Sequence, residues 1–376
     1  MRRTLAISGT CLLVLVGPTP GHAEDRAAQA THCELAAFPA PRPAEPAAAG
    51  WQGLLHQFVR TLERPETPAA ALARTGGTRL TMRADTELSR ITLLDDLRND
   101  TRCLMRETRI AHGELAVRDG GVDLRLRNAA DAVKAVAVLS AATRSGVAIL
   151  QTPDGLIRMT PTEEGLTDRL GAMLDRSREI IAGRARDLGV EHAGVERDGA
   201  DRIRILLPGV TDASRLVAML GSRARLELRL IDSSIDPEQA LKTTIPLDDN
   251  VLYGMKDKVP YLVSRKVAVS GADIVEASAT LGARDEPAVA FRFDGRGTRA
   301  FADVTRDNVG RPFAIVLDDR VISAPLIREP ILGGSGLING KLTIHEANDL
   351  AILLRSGALP LRLEVVAQDT VAAKTN

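Results

Sequence analysis

The chain has 376 residues, with 49 basic and 49 acidic side chains, and 2% of its residues are aromatic. Balanced charge leaves no field of one sign to draw in nucleic acid or anionic lipid, and so few aromatics supply no stacking platform for bases. The length suits two domains of ordinary size, with cores built from Leu, Ile, Val and Ala.

Arg2 and Arg3 precede an apolar run over residues 5–16, followed by Gly17, Pro18, Pro20 and the small stretch Gly21, His22, Ala23. This pattern predicts a secretory signal peptide over residues 1–23, cleaved after Ala23, and hence a periplasmic protein. The other reading is a retained anchor in the inner membrane, but the run is well short of the ~20 residues that span a bilayer. No later stretch reaches that length, so no membrane span is expected after cleavage. Residues 24–75 form a Pro- and Ala-rich linker, interrupted by a short helix over 51–63 with Trp51, Leu54, Leu55, Phe58 and Leu62 on one side. Cys33 and Cys103 are the cysteines left after cleavage. In an oxidising compartment they either pair, stapling the linker to the first long helix, or stand as separate thiols.

Residues 76–257 contain an internal repeat. VRDGGVDLRLRNAADAVKAVAVL (117–139) and VERDGADRIRILLPGVTDASRLVAML (195–220) both read strand, Gly-containing turn, strand, helix. A long amphipathic helix precedes each copy, marked by Leu88, Ile91, Leu94, Leu97 and Leu104 in the first and by Leu166, Leu170, Leu174, Ile181 and Leu188 in the second. With flanking strands over 78–82, 156–159 and 226–231, the pattern predicts an α+β base of two ferredoxin-like units, residues 76–160 and 161–232, each an antiparallel sheet with helices on one face.

Residues 258–360 have a different texture. Strands are expected over 264–269 and 288–294, a helix over 298–308, and a hairpin whose arms, 313–317 and 321–327, meet at Asp318 and Asp319. A Gly-rich loop follows over 333–340. The next helix is sharply bounded: Thr343 at the N-cap with Glu346 three positions on, Gly357 at the C-cap, Pro360 beyond. The alternation Leu361, Leu363, Val365 is expected to return to the base, so that 258–360 is an inserted head and 361–376 the last base strand and tail.

Catalytic chemistry is sparse. The six histidines show no HExxH or paired ligand spacing, there is no Cys-x-x-Cys, and Ser335 sits in GGSG rather than in a nucleophile elbow. No metal, cofactor or enzymatic activity is expected. Gly295, Gly297 and Ala300 fit GxGxxA, with Asp318 placed as a ribose ligand, but a hairpin turn at Asp318 makes the following strands antiparallel. The preferred reading is Asp294 as a helix N-cap with the glycines as loop residues.

Four segments together resemble the first periplasmic domain of the SecD/SecDF protein-translocase family: LGVEHAGVERDGADRIRILLPG (188–209), DNVGRPFAIVLDDRVISAP (307–325), GGSGLING (333–340) and EANDLAILLRSGALP (346–360). The resemblance covers about residues 76–366. It implies a base of two ferredoxin-like units carrying a mobile head, and a part in protein translocation. SecD continues into transmembrane helices with proton-coupling residues, whereas this sequence stops at Asn376, so a relative that does not itself use a proton gradient is expected. The implied partners are unfolded or translocating polypeptide and Sec translocase subunits, not nucleic acid. The alternative is an interaction or regulatory module that binds a folded envelope partner and has no part in translocation. In the head, Ile322, Leu326, Ile327, Ile331, Leu332, Leu337 and Ile338 cluster around the glycines of 333–340, either as a surface for an extended apolar chain or as the head's own core. Gly254 and Pro260 on one crossing, and Gly357 and Pro360 on the other, are the expected hinge between head and base.

Overall fold

The computed structural model describes residues 66–143, 146–282 and 284–374. The signal peptide, most of the linker with its helix over 51–63, and Cys33 lie outside the described residues. In chain order, helix α1 (Pro68–Thr75) leads into strand β1 (Gly77–Ala84). Helix α2 (Thr86–Glu107) precedes the hairpin β2 (His112–Arg118) and β3 (Gly121–Leu126), helix α3 (Ala132–Thr143), and a second hairpin, β4 (Val147–Gln151) and β5 (Leu156–Pro161). Then come α4 (Glu163–Asp187), β6 (Gly194–Arg197), β7 (Arg202–Pro208), α5 (Ser214–Gly221), β8 (Leu226–Ile231), α6 (Pro237–Lys242), β9 (Asp249–Gly254), β10 (Pro260–Ser270), β11 (Ile274–Leu281) and β12 (Pro287–Phe293). The chain closes with α7 (Gly295–Asp307), β13 (Phe313–Leu317), β14 (Arg320–Ser323), β15 (Ser335–Asn339), α8 (Ile344–Ser356) and β16 (Leu363–Val371). The fold is mixed α+β.

These elements form two compact units, one of residues 93–162 and one of the described residues up to 92 together with those from 163 onward. The smaller unit is an antiparallel sheet in the order β2-β3-β5-β4. Its β2–β3 turn is Asp119-Gly120, with φ of 47° and 72°, the positive-φ pair that a two-residue hairpin needs. Leu124, Ile157 and Met159 from the sheet pack with Leu97, Met105, Ala135 and Leu139 from the helices, and all seven are fully buried.

The base of the larger unit is the sheet β16-β1-β7-β6, antiparallel throughout. Taken with α4 and α5, its chain order is strand, helix, two strands, helix, strand, with the last strand beside the first. Leu80 and Met82 of β1, Leu174 and Ile181 of α4, and Ile203 and Ile205 of β7 fill its core.

Two strands sit elsewhere than the repeat predicted. β1, expected in the first copy, pairs with β7 of the second, Leu80 facing Ile205; β5 takes the place beside β3. β8, expected to close the second copy, lies between β10 and β13 in a closed barrel, β10-β8-β13-β14-β9. The head's strands therefore begin at β8 and not at residue 258. The reason is that a two-residue alternation says a strand has a buried face without saying which sheet buries it. β8 is buried nearly throughout, which only a central position provides.

Besides the barrel, the head contains the sheet β11-β12-β15, with α8 packed along β11. Phe291, Phe293, Phe301 and Phe313 meet edge to face between β12, α7 and β13, with centroids 5.1–6.4 Å apart. The sequence holds six phenylalanines, so this small core concentrates most of them. The segment read as a Gly-rich loop is in its middle the strand β15, paired with β12. Its Gly336 lies against the Phe291 ring, where a Cβ would come within 2.6 Å of Cζ, so the glycine serves close packing here.

The boundaries of α8 follow the sequence. Thr343 Oγ1 accepts from the Glu346 amide at 3.2 Å and the Glu346 carboxylate accepts from the Thr343 amide at 2.7 Å, a capping box. Lys256 Nζ donates to the same carboxylate at 2.7 Å. Lys256, then the Thr343 amide, hold Glu346 down to about 2, from an ordinary value of 4.5. A carboxylate depressed in the folded state adds stability above its unfolded value and loses it as the pH falls through the folded one. Between pH 4.5 and about 2, the melting temperature of the parent is therefore expected to fall more steeply than that of Glu346→Gln, whose neutral amide has no such titration.

Candidate functional site

Two features of the larger unit bear on function: the junction between head and base, and the head surface around β15. At the junction the chain passes from base to head through residues 222–225, after α5, and back through residues 357–361, after α8. The two crossings touch, the Leu359 amide donating to Arg223 O at 2.8 Å. Between them lies the guanidinium of Arg184, on α4, fully buried. It donates to Met219 O at 3.1 Å and Leu220 O at 3.3 Å at the end of α5, and to Ser222 O at 2.5 Å on the outward crossing. On the return it donates to Ser356 Oγ and Gly357 O, both at 2.9 Å. Among the described residues no carboxylate is paired with it. The C-terminal ends of α5 and α8 supply the compensating partial negative charge, since both helices aim their last carbonyls at this point. Burial pushes Arg184 down to about 10, partly offset by Asp318, so it stays protonated at neutral pH.

Asp318 ties the head to the same place. It and Asp319 form the tip of the β13–β14 hairpin, at φ of 47° and 64°, the turn expected from the sequence. The Asp318 carboxylate accepts from Ser222 Oγ and from the amides of Ala224 and Arg225, at 2.9–3.1 Å. An aspartate considered as a ribose ligand is thus engaged by the junction backbone. The GxGxxA segment is equally explained by packing. The Asp294 carboxylate caps α7 by accepting from the Gly297 amide at 2.7 Å, and a Cβ at residue 297 would lie 2.7 Å from Asp273 Cβ and 2.9 Å from Phe293 Cβ. The strands on either side of α7 belong to different sheets.

Of the four hinge residues, two are not at a crossing. Gly254 and Pro260 flank the β9–β10 turn inside the barrel, with the Gly254 amide bonded to Val259 O and Pro260 paired with Tyr253. The outward crossing lies earlier because β8 and β9 already belong to the head. Gly357 and Pro360 do lie on the return crossing, Gly357 at φ 81° as the C-cap. Arg184 was missed, although the sequence signals it. Leu170, Leu174, Ser177, Ile181, Arg184 and Leu188 follow one another at intervals of four and three, so an arginine stands on the apolar stripe of α4.

The seven apolar residues of the head divide by exposure. Ile327 and Ile338 are 2% and 0% exposed and belong to the interior, so for these two the reading as the head's own core holds and the surface reading does not. Ile338 faces inward because β15 is a strand, with alternate residues on opposite faces. Ile322 and Ile331 are half-buried against the head core. Leu326, Leu332 and Leu337 are exposed, at 55%, 63% and 48%. An open depression of about 700 Å³ lies between the end of β15 and β14, lined by Val321, Ile322, Asn339 and Gly340 together with the charged Lys256, Asp257, Arg284, Glu286 and Lys341. In the smaller unit Cys103 is disulfide-bonded; its expected partner Cys33 lies outside the described residues. Among the described residues no group of His, Cys, Asp and Glu is arranged to hold a metal ion, and no helix is long and apolar enough to cross a membrane.

Residues 174–233 match the family model of the N-terminal part of the SecDF P1 domain, and residues 249–361 match that of the SecDF P1 head subdomain. The protein translocase subunit SecD of Rickettsia bellii is 31% identical over 79% of this chain and 57% of its own length. SecD of Acetobacter pasteurianus is 35% identical over 79% of this chain and 58% of its own length. The chain therefore spans somewhat over half of these curated relatives. One solved chain, of the membrane component SecDF that enhances protein export, is 33% identical over 52% of this chain and 92% of its own, with a TM-score of 0.44. By its sequence matches, the chain is a member of the SecD/SecDF protein-translocase family, with residues 174–233 and 249–361 as parts of its P1 region.

Proposed function

We propose that this chain assists protein export in the periplasm, as a non-catalytic partner of the Sec translocase whose head engages polypeptide in transit. The observation that carries this reading is the exposure of three leucines of the head, Leu326, Leu332 and Leu337, within the region matched by the P1 head model. The two copies over 117–139 and 195–220 are read as products of duplication, and the base they contribute to as the platform for the head. The test is photo-crosslinking during export, with a photoreactive residue in place of Leu337 and, as control, in place of the more exposed Val133 on α3. Secretory polypeptides are expected to crosslink at 337 and not at 133. Crosslinking at 337 to a single folded envelope protein would replace this reading with that of an interaction module.

The disulfide fits the same compartment. Cys103 is expected to pair with Cys33, so intact-mass analysis of the alkylated, unreduced mature chain should find neither residue labelled; two labelled thiols would refute the pairing. Head rotation is proposed at the crossings, through Gly357 and Pro360 on one side and residues 222–225 on the other. Arg184 makes the contacts that such a rotation has to break.

A further inference from the structure

We infer that the head takes its polypeptide by strand addition: an extended, apolar segment pairs with the free edge of β15. The inference rests on the proposed function and specifies the chemistry of recognition. β15 is the last strand of its sheet, so one row of its backbone groups has no strand partner. The ladder identifies that row. The Phe293 amide donates to Gly334 O at 2.9 Å, and in an antiparallel pair bonded and non-bonded positions alternate, so Gly336 and Ile338 bond to β12. The N–H and C=O groups of Ser335, Leu337 and Asn339 therefore point away from the sheet. Among the described residues no hydrogen bond to these groups is found.

Edge strands are ordinarily guarded by charge, proline or a covering element. In this protein β2, β6 and β16 carry charged residues, and the other edge of the head sheet, β11, carries Glu276 and has α8 packed along it. β15 reads Ser-Gly-Leu-Ile-Asn and has none of these guards. β4 is also uncharged, but only β15 lies in the head. Its surroundings suit a chain with alternating side chains: Leu337 stands exposed on one face, and Ile322 and the depression of about 700 Å³ lie at its C-terminal end. Backbone pairing reads no side-chain sequence, which fits a protein that meets many clients, while the flanking apolar residues favour segments not yet folded.

The test uses the full chain and a short end-blocked peptide of alternating Leu and Thr, with Lys at its ends, beside an analogue N-methylated throughout. A reduced, alkylated unfolded protein serves as a second probe. The N-methylated analogue is expected to bind about tenfold more weakly or not at all, since it cannot donate to the edge. Asn339→Pro removes one outward N–H without breaking the ladder to β12, and should weaken both probes by about tenfold. In the unsubstituted chain, the amides of Leu337 and Asn339 should gain hydrogen-exchange protection when peptide binds, a readout that needs no variant. Equal binding of the two peptides, or no added protection at Leu337 and Asn339, would overturn strand addition. Tight binding of the unfolded protein by a folded Asn339→Pro variant would overturn it too, while leaving polypeptide engagement intact. Failure of every unfolded probe to bind would remove the proposed function as well. A chain that sediments as a dimer, and becomes monomeric on Asn339→Pro, would show that a second copy occupies the edge and overturn the inference.

Discussion

Replacing Arg184 by Ala is expected to lower the unfolding free energy of the larger unit by about 3–5 kcal/mol, among the largest effects of any single substitution in the chain. The guanidinium serves five acceptors at the two crossings, the Met219 and Leu220 carbonyls buried with it and the acceptors of Ser222, Ser356 and Gly357 half-buried, so its removal leaves donors missing where little water reaches. Truncation leaves the last carbonyls of α5 and the cap of α8 facing an apolar void. Lysine does not substitute. Its ammonium is a single point with three donors, whereas the acceptors are spread around a planar fork, so Arg184→Lys should recover less than half of the loss. Arg184→Met, which restores the volume without the donors, separates packing from hydrogen bonding and should remain close to the alanine variant. Urea unfolding of the purified chain measures all three. A loss below about 1 kcal/mol for Arg184→Ala would mean that the crossings hold together without the arginine.

The second large effect is expected inside the barrel. Glu227 and Arg229 lie on the same face of β8 as Ile231, which packs with Val263, Ala314, Val316 and Val321. Both are 6% exposed. Arg229 Nε donates to Glu227 Oε2 at 2.7 Å, and the more exposed Arg225 approaches Oε1 at 2.6 Å. A buried pair recovers little beyond its desolvation cost, but a single buried charge recovers nothing. Glu227→Ala, which strands Arg229, is therefore expected to cost about 3–5 kcal/mol, while the double variant Glu227→Met/Arg229→Met should be neutral or more stable by up to ~4 kcal/mol. Thermal and urea unfolding of the single and double variants decide it. Equal destabilisation by both would show that packing volume, and not the stranded charge, governs this face of the barrel.

What the sequence determined by itself is local. The capping box at Thr343 and Glu346, the tight turns at Asp119-Gly120 and Asp318-Asp319, the stripes of α2 and α4 and the two strand-turn-strand-helix copies were all legible, because each is set by residues within one or two turns of chain. The family was legible for a related reason: its segments keep residue types in a fixed order. The exposed leucines of the candidate surface were visible only in the company of Ile327 and Ile338, since an apolar residue in a strand has the same signature whichever face it takes. The tertiary structure alone decided the partners. β1 and β8 alternate like any other strands, yet one joins a sheet with β7, more than a hundred residues away, and the other enters the head barrel. Such pairings depend on which long insertions can leave and return at adjacent points, a non-local condition that no window of sequence contains. Arg184 shows the same limit from the other side. Its place on an apolar stripe marks it as buried, but only the meeting of two helix ends and two crossings around it shows what an arginine there can hold.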